Sequence, residues 1–305
     1  MDNVDSLLTP LKHTDNFELI PEIGNPLTDL NVNSASTVQS LAVLRLGLFT
    51  PVNRTKMLSE KNNARMIDVS DEFRSLELAK QEGFREISIV GLKLNFDTDF
   101  KVWCGLVRAF NLYGYNSETI TFKFSEFAKL CGFSSKQSDQ RLRERIEDSF
   151  IRIRSQTLKF HKPSTNKSYI GGLVSNATLD QENDAISITA DAKLWDLYNI
   201  DHTVLLKLKA FSELKRMEAA KCLYVYLCAL PQNPIPISFT RLRERMQLTS
   251  KAIKEQNRTI VNAINKLIEI GYLQGCIVKN ENDRYLLVEQ RCQKLELMQP
   301  RLNCI

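Results

Sequence analysis

The side chains best suited to bind a polyanion lie on one face of a predicted helix from Ser250 to Gly271. At about 100° per residue its apolar side chains fall on one side, namely Ile253, Ile260, Ile264 and Leu267. The opposite side carries cations and amides: Lys251, Lys254, Arg258 and Asn262, with Asn257 at its margin. Arg and Lys bind guanine edges and phosphates, and Asn binds adenine, so we expect this face to contact DNA. A solvated surface helix is the alternative, because any such helix has a polar outer face.

A weaker set of the same kind occurs on a second predicted helix, which follows Ser134 and Ser135. Its predicted buried face consists of Leu142, Ile146, Phe150 and Ile153. Its outward side chains are Gln137, Gln140 and Arg141, with Arg145 at the flank. Because Glu144 and Asp148 also point outward, only the N-terminal half of this helix suits a groove lined by phosphates.

Four further cations belong to polar turns between predicted strands: Lys162, Lys167, Lys279 and Arg284. The first two lie in the turn KPSTNKS, and the other two border the turn from Asn280 to Asp283. Such turns can contact the DNA backbone. A solvated turn is an equally good explanation of any one of these cations.

The elements around the second of these helices follow a recognisable order. A helix capped by Asp99 is expected first, with this buried face: Phe100, Trp103, Leu106, Val107 and Phe110. The segment Ile120 to Phe133 alternates like a strand and continues as a short helix capped by Ser125. After the helix come two strands, Gln156 to His161 and Tyr169 to Asn176. The order helix, strand, helix, helix, strand, turn, strand is that of a winged helix.

The same order recurs in the C-terminal third. A long helix is expected from Val204 to Leu230, stopped by Pro231. A strand and a helix capped by Thr240 follow, then the Ser250 helix and two strands, Cys276 to Lys279 and Arg284 to Val288. The copies align at an offset of 115 residues, in these pairs: Ile120 with Ile235, Phe124 with Phe239, Phe127 with Leu242, Phe133 with Leu248, and Lys136 with Lys251.

The pentapeptide RLRER also occurs twice, at 141–145 and at 241–245. Its offset of 100 residues would place one copy on the third helix of a unit and the other on the second helix. We therefore interpret this repeat as a coincidence.

These patterns predict an α+β protein with two tandem winged-helix domains and a flexible acidic N-terminal arm. The predicted boundaries are 1–38 for the arm, 39–200 for the first domain, 201–294 for the second domain and 295–305 for a tail. The first domain should begin with a strand within Leu41 to Val52, a helix from Asp71 to Lys80 and a strand from Glu86 to Val90.

The net charge of +5 is distributed unevenly along the 305 residues. Residues 1–100 and 163–202 are acidic, whereas 101–162 and 203–294 are basic. Because each basic stretch coincides with one winged-helix pattern, the distribution favours a polyanionic partner over plain solvated surface. No apolar run approaches the length of a membrane span, and the acidic start is unlike a secretion signal.

The sequence offers little support for an enzyme. The seven cysteines are odd in number and contain no Cys-x-x-Cys pair, which indicates reduced thiols in a cytoplasmic protein. The histidines lack metal-ligand spacing, and neither a paired-histidine nickase motif nor a glycine-rich phosphate loop is present. Tyr224 and Tyr226 lie in an apolar helix and are interpreted as core. We expect no catalytic site, no metal ion and no cofactor.

Several short motifs resemble one protein family in their order and spacing. They are VLRLGLF (43–49), DFKVWCGLVRAF (99–110), FSEFAKLCG (124–132), RLRERI (141–146), LWDLY (194–198), VLLKLKAF (204–211) and IGYL (270–273). Across Val43 to Val288 the chain resembles the initiator proteins of theta-replicating bacterial plasmids, and among them the RepFIB-type replication proteins.

The resemblance implies a specific set of partners. Such initiators bind tandem repeats in double-stranded plasmid origin DNA as monomers and promote melting of the origin. Many also bind an inverted repeat as dimers and repress their own gene, which contributes to copy control. The N-terminal winged helix would carry the dimer interface and the C-terminal one the stronger base recognition. Host replication proteins, such as the host initiator and helicase, would be further partners.

Three other functions agree with parts of the same pattern. A winged-helix transcriptional regulator without an initiation role shares every physical feature described above and differs only in the family resemblance. A nucleic-acid enzyme and a structural partition protein are the remaining alternatives.

Overall fold

The computed structural model describes residues 35–52 except 46, 65–68, 86–113, 119–134, 140–162, 164–191, and 203–297 except 249, 281 and 282. Several predicted features lie outside these ranges: the arm up to residue 34, the helix at 71–80, the motif LWDLY, Gln137 and the end of the tail. The described residues form a mixed structure of helices and antiparallel sheets. Among them, no helix is long and apolar enough to cross a membrane.

The N-terminal elements are β1 (Ser36–Ser40), α1 (Leu41–Arg45), β2 (Arg65–Asp68), β3 (Glu86–Gly91), α2 (Asp99–Tyr113), β4 (Thr119–Lys123), α3 (Phe124–Leu130), α4 (Gln140–Arg154), β5 (Thr157–Lys162), β6 (Lys167–Gly172), β7 (Val174–Asp180) and β8 (Ala185–Ala190). The C-terminal elements are β9 (Thr203–Lys207), α5 (Lys209–Glu213), α6 (Glu218–Cys228), β10 (Ile237–Ser238), α7 (Phe239–Met246), α8 (Ile253–Glu269), β11 (Leu273–Lys279) and β12 (Arg284–Arg291). We call α2 to β8 the first unit and α6 to β12 the second unit.

Helix α2 has the buried face that its periodicity predicts, since Phe100, Trp103 and Phe110 are at most 1% exposed. The prediction that Asp99 caps this helix is wrong. Its carboxylate is completely buried and accepts hydrogen bonds of 2.8–3.1 Å from the Arg152 guanidinium of α4. It also accepts two bonds of 2.8 Å from Asn95, one from the backbone and one from the side chain. Because the Arg152 guanidinium binds the Asp99 carboxylate, this carboxylate is not available to cap the helix.

The prediction that Ser125 caps the short helix α3 is also wrong. The helix begins one residue earlier, at Phe124, and its N-cap residue Lys123 makes no side-chain capping bond. The Phe124 amide donates instead to the Asp184 carbonyl at 3.0 Å, so a neighbouring turn satisfies the start of this helix. Ser125 is exposed in the first turn.

The strands of the first unit belong to two sheets, one of which also includes β2 and β3, where the sequence predicts one hairpin. Strand order is β4-β8-β7 in one sheet and β2-β3-β5-β6 in the other. The predicted strand from Tyr169 to Asn176 is therefore two strands, β6 and β7, separated by a bend at Leu173. Leu173 and Val174 are both buried. The sequence does not reveal this change of sheet, because strand periodicity alone cannot show where a chain leaves one sheet for another.

The second unit has a single sheet with the order β10-β12-β11. This matches β4-β8-β7 of the first unit strand for strand, and α7 and α8 occupy the places of α3 and α4 in the chain. Phe124 and Phe239 each open the second helix of their unit and are buried, as the offset of 115 predicts. Ile235 departs from it, because it is 75% exposed and precedes the two-residue strand β10.

The segment before α6 is not one helix from Val204 to Leu230, as predicted. It forms strand β9, the short helix α5 and then α6, with Lys215 in a left-handed conformation between the two helices (φ 34°). Strand β9 pairs with β1 along its whole length, from Ser36 with Lys207 to Ser40 with Thr203. The pairing with β1, which is distant in sequence, overrides the local helical pattern of residues 203–207.

The N-terminal boundary changes for the same reason. Ser36 to Val38, assigned above to the flexible arm, are buried in β1. The strand predicted within Leu41 to Val52 is wrong, because Leu41 to Arg45 form helix α1.

Polar contacts join the N-terminal segment to the second unit. Arg45 donates to the Ala229 carbonyl at 3.0 Å, and Gln247 donates to the Gly47 carbonyl at 3.2 Å. Arg245 donates to the Leu44 carbonyl and is itself buried. Main-chain carbonyls of 44–47 and the end of α6 therefore connect these parts of the chain.

A second junction brings a charged cluster to the start of α6. Glu218 accepts a hydrogen bond from the Phe96 amide at 2.9 Å, and Lys221 lies 3.1 Å from Asp97 and 3.5 Å from Glu218. Burial raises the pKa of Glu218 to about 7, although the Phe96 amide and the Lys221 charge act to lower it.

The Asp99–Arg152 pair gives a stability prediction. Replacing Arg152 by Met leaves a completely buried carboxylate without its cation, so the free energy of unfolding should fall by about 3–5 kcal/mol. Urea unfolding of the purified chain measures this. Arg154→Met is the matched control, because Arg154 lies on the same helix, is exposed and donates only to the Ser175 carbonyl. Equal losses in both variants would contradict a special role for the pair.

The Glu218 cluster gives a pH prediction. Because the folded-state pKa of Glu218 lies above its ordinary value of 4.5, the folded chain binds more protons than the unfolded chain between about pH 5 and 7. The free energy of unfolding should therefore fall as pH rises through this window, by on the order of 2 kcal/mol for this group. Glu218→Gln should remove that part of the decline, whereas Glu213→Gln, an exposed control on α5, should keep it. An unchanged pH profile in Glu218→Gln would refute the assignment.

Candidate nucleic-acid interface

The geometry of the second unit starts from the cap of α7. The Ser238 hydroxyl accepts a hydrogen bond from the Arg241 amide at 3.1 Å, so Ser238 is the N-cap residue and the prediction of Thr240 is wrong. Phe239 is buried and directly follows the cap, at the first position of α7. At the other end Gln247 adopts a left-handed conformation (φ 47°), and the chain turns toward α8.

Helix α8 presents most of the predicted pattern. Ile260, Ile264 and Leu267 are buried, and the helix is followed by left-handed Gly271 as expected. Ile253 is 60% exposed, which contradicts its predicted place in the core. The physical reason is that α8 begins at Ile253 rather than at Ser250, so this side chain belongs to the first turn, beyond the edge of the core.

The predicted DNA-contacting side chains on α8 and just before it are accessible. Lys251, Lys254, Arg258 and Asn262 are all exposed. The Arg258 side chain is 70% exposed and pairs with Glu255 at 2.5 Å along the helix. An exposed pair of this kind is weak in water, so Arg258 can exchange Glu255 for another anion at small cost.

Two further predicted contact residues flank the turn between β11 and β12. Lys279 and Arg284 are exposed on either side of it. The Asn280 side chain accepts from the Asp283 amide at 2.8 Å, and the Asp283 carboxylate accepts from the Thr240 amide at 3.0 Å. The turn is thus joined to the start of α7.

Arg243 connects these pieces and is absent from the residues predicted by sequence. It donates to Asn257 Oδ1 at 2.7 Å and to Thr240 Oγ1 at 2.6 Å, and lies 4.0 Å from Asp283. Burial acts to raise the pKa of Asp283, but the amides of Thr240 and Arg284, together with the Arg243 charge, hold it below its ordinary value. We call Arg243, Thr240, Asn257 and Asp283 the Arg243 network.

The corresponding surface of the first unit is smaller. Gln140 and Arg141 are exposed in the first described turn of α4. Arg145 is held by Thr98, to which it donates at 2.9 Å, and its guanidinium lies 5.9 Å from the centre of the Phe133 ring. The next exposed residues along α4 include Glu144, Glu147 and Asp148.

The hairpin of Lys162 and Lys167 is not the one that corresponds to β11–β12. Those lysines end β5 and begin β6, in the sheet β2-β3-β5-β6. The corresponding hairpin is β7–β8, whose turn Gln181 to Asp184 carries acidic side chains. The chain inserts β5 and β6 between α4 and β7, which the sequence pattern does not reveal.

The two copies of RLRER lie on non-equivalent helices, α4 and α7, as predicted. Their central arginines nevertheless have the same partner type. Arg143 forms an ion pair with Asp184 and lies 4.1 Å from the centre of the Phe124 ring. Arg243 lies beside Asp283. Asp184 and Asp283 each immediately precede the last strand of their unit.

Comparisons with known proteins agree with this architecture. Residues 106–228 match the family model described as initiator replication protein, WH1. The chain is 45% identical over 270 residues to protein RepA of Escherichia coli, covering 88% of this chain and 92% of that protein. It is 39% identical over 272 residues to RepFIB replication protein A of Salmonella typhi, covering 88% of this chain and 83% of that protein.

A solved structure shares the fold at low sequence identity. The crystal structure of domains 2 and 3 of RctB superposes with a TM-score of 0.51 and 12% identity, covering 88% of this chain and 99% of that chain. This likeness concerns the fold alone.

Proposed function

The chain belongs to the RepA family of plasmid replication initiator proteins, and we propose that it acts by binding repeated origin sequences through two winged helices. The observation that carries this proposal is the exposed cationic and amide-rich face of α8, with Lys279 and Arg284 on the adjoining turn. A helix with this surface can enter the major groove while the turn contacts the backbone.

The winged-helix assignment is supported by the repeated arrangement of both units. Each has a helix, a strand, two helices and a final pair of strands, and the first unit also has β5 and β6 between α4 and that pair. In both units the strand that precedes the helix pair lies at the edge of its sheet. In this arrangement α8 and α4 are the recognition helices, and the turns β11–β12 and β7–β8 are the wings.

The second unit is proposed as the main reader of DNA sequence. Lys254, Arg258 and Asn262 recur every four residues along α8, so they follow one edge of the helix at intervals of about 6 Å. Lys251 and Asn257 complete the proposed contacts of this helix.

The first unit is proposed to add fewer contacts, from Gln137, Gln140, Arg141 and Arg145 on or before α4. Its wing is acidic and unsuited to phosphate. Lys162 and Lys167, on the separate hairpin β5–β6, are retained as proposed backbone contacts. Two units on one duplex would place their sites about one helical turn apart.

The remaining parts of the proposal follow family membership. The domain boundaries are those given above, with the first domain now starting at β1. The chain would act in the cytoplasm, without a catalytic step or cofactor, by promoting origin melting with host initiator and helicase proteins. A dimeric form would repress the chain's own gene.

Footprinting on the plasmid that carries the gene tests this function. Protection of several tandem repeats, with permanganate reactivity in adjacent DNA after binding, is expected of an initiator. Protection of one palindrome only, without tandem repeats or melting, would instead favour a transcriptional regulator.

Arg258 gives a mutational prediction for the same DNA. Arg258→Ala should weaken binding to one protected repeat by about 1–3 kcal/mol if the guanidinium pairs with guanine. Kd is measured by fluorescence anisotropy on the repeat and on a random duplex of equal length. Arg216→Ala, exposed in the turn before α6, is the control. An equal loss on both duplexes would mean that Arg258 contacts phosphate instead.

A further inference from the structure

We propose that Arg243 is a positioning residue for base recognition, because it holds the Asn257 amide with the oxygen inward and leaves the NH2 group to face DNA. This inference rests on the proposed function, since it assumes that α8 enters the major groove. It assigns Arg243 a role although that side chain does not itself touch a base.

Arg243 connects three elements that must keep a fixed arrangement on DNA. It lies on α7, donates to Thr240 at the start of the same helix and to Asn257 on α8, and lies beside Asp283 in the wing turn. The side chains of Arg243 and Asp283 are 17% and 15% exposed. Two guanidinium nitrogens are already engaged by neutral oxygens, so Arg243 is better placed to fix its neighbours than to reach a phosphate.

The contact with Arg243 limits what Asn257 can recognise. Bidentate recognition of adenine requires the amide oxygen to accept from N6 and the amide nitrogen to donate to N7. In the Arg243 network the oxygen already accepts from Arg243, at 2.7 Å. The NH2 group can only donate, and the acceptors in the major groove are N7 and O6 of guanine, N7 of adenine and O4 of thymine. Asn257 should therefore donate one hydrogen bond to a base acceptor, and it should discriminate against cytosine, whose major-groove edge carries only a donor.

The first unit contains an analogous Arg–Asp contact, which supports a structural role for Arg243 in the second unit. There Arg143 pairs with Asp184 of the wing turn and covers the Phe124 ring. The arginine comes from the recognition helix α4 in that unit, whereas in the second unit it comes from α7. Both units thus join the wing turn to the helix pair through an Arg–Asp contact.

Binding measurements on the full chain test the proposal. The probes are one footprinted origin repeat, a random duplex of equal length, and a set of repeats in which each base pair is replaced in turn. Arg243→Met should weaken binding to the repeat about tenfold, which is about 1.4 kcal/mol. Binding to the random duplex and the salt dependence of Kd should stay unchanged, because no phosphate contact is lost.

Asn257→Ala provides the independent arm, since it removes the proposed base contact without altering Arg243. It should cause the same loss on the repeat, and the double variant should lose no more than either single variant. In both single variants the preference that disappears should be the discrimination against cytosine at one and the same position of the repeat. Arg216→Ala is the control for loss of a surface arginine.

Three results would overturn the proposal. Equal loss on both duplexes, with a weaker salt dependence, would make Arg243 a phosphate contact. Additive losses in the double variant, or loss of preference at different positions in the two single variants, would show that Asn257 is not oriented by Arg243. Unchanged binding of Arg243→Met would remove its role altogether. If the wild-type chain does not prefer the repeat over random DNA, the proposed function itself fails, and this is seen before any variant is compared.

Discussion

Asp99 is a completely buried carboxylate, and a buried charge is tolerated in a protein only when partners replace its lost hydration. Arg152 supplies a bidentate cation, and Asn95 supplies two further donors. Because Asn95 in turn accepts from the Thr98 amide at 2.7 Å, the same interaction fixes the whole turn 95–98. This turn therefore has a defined shape before any contact with the second unit is considered.

The second unit depends on that turn for its position. Phe96 and Asp97 are the residues that contact Glu218 and Lys221 of α6. Aromatic rings continue the junction into the core, with Phe100 stacked on Phe211 at 4.9 Å and Phe211 edge-on to Tyr224 at 5.6 Å. Together with the β1–β9 pairing, these contacts set the distance between α4 and α8. For two recognition helices on one duplex, this distance determines which spacing of half-sites is accepted.

The parts of this structure that could be predicted from sequence are those that depend on local periodicity. Helices α2, α4 and α8 each bury one continuous apolar side, so spacing alone predicts their cores, except for Ile253 at the start of α8. The predicted caps at Asp99 and Ser125 are wrong because groups distant in sequence act at these helix starts: Arg152 binds the Asp99 carboxylate, and the Asp184 carbonyl accepts from the Phe124 amide. The predicted cap at Thr240 is wrong for a local reason, since Ser238 is the cap. Strand β9 was read as helix because its partner β1 lies more than 150 residues earlier. The Arg243 network was missed for a related reason, since it joins three elements that no spacing rule connects.

The two copies of the pentapeptide RLRER show that the same short sequence can occupy non-equivalent helices in this fold. The two copies lie on different helices, yet each places its central arginine against the aspartate before the last strand. In the first unit this contact uses an arginine of α4, the proposed recognition helix, and the β7–β8 turn beside it is acidic. In the second unit the arginine comes from α7, so Lys254 and Arg258 of α8 take no part in the contact with Asp283. We infer that the two units contribute unequally to base recognition. This inequality follows from the helix that supplies the arginine of the Arg–Asp contact, which is α4 in the first unit and α7 in the second.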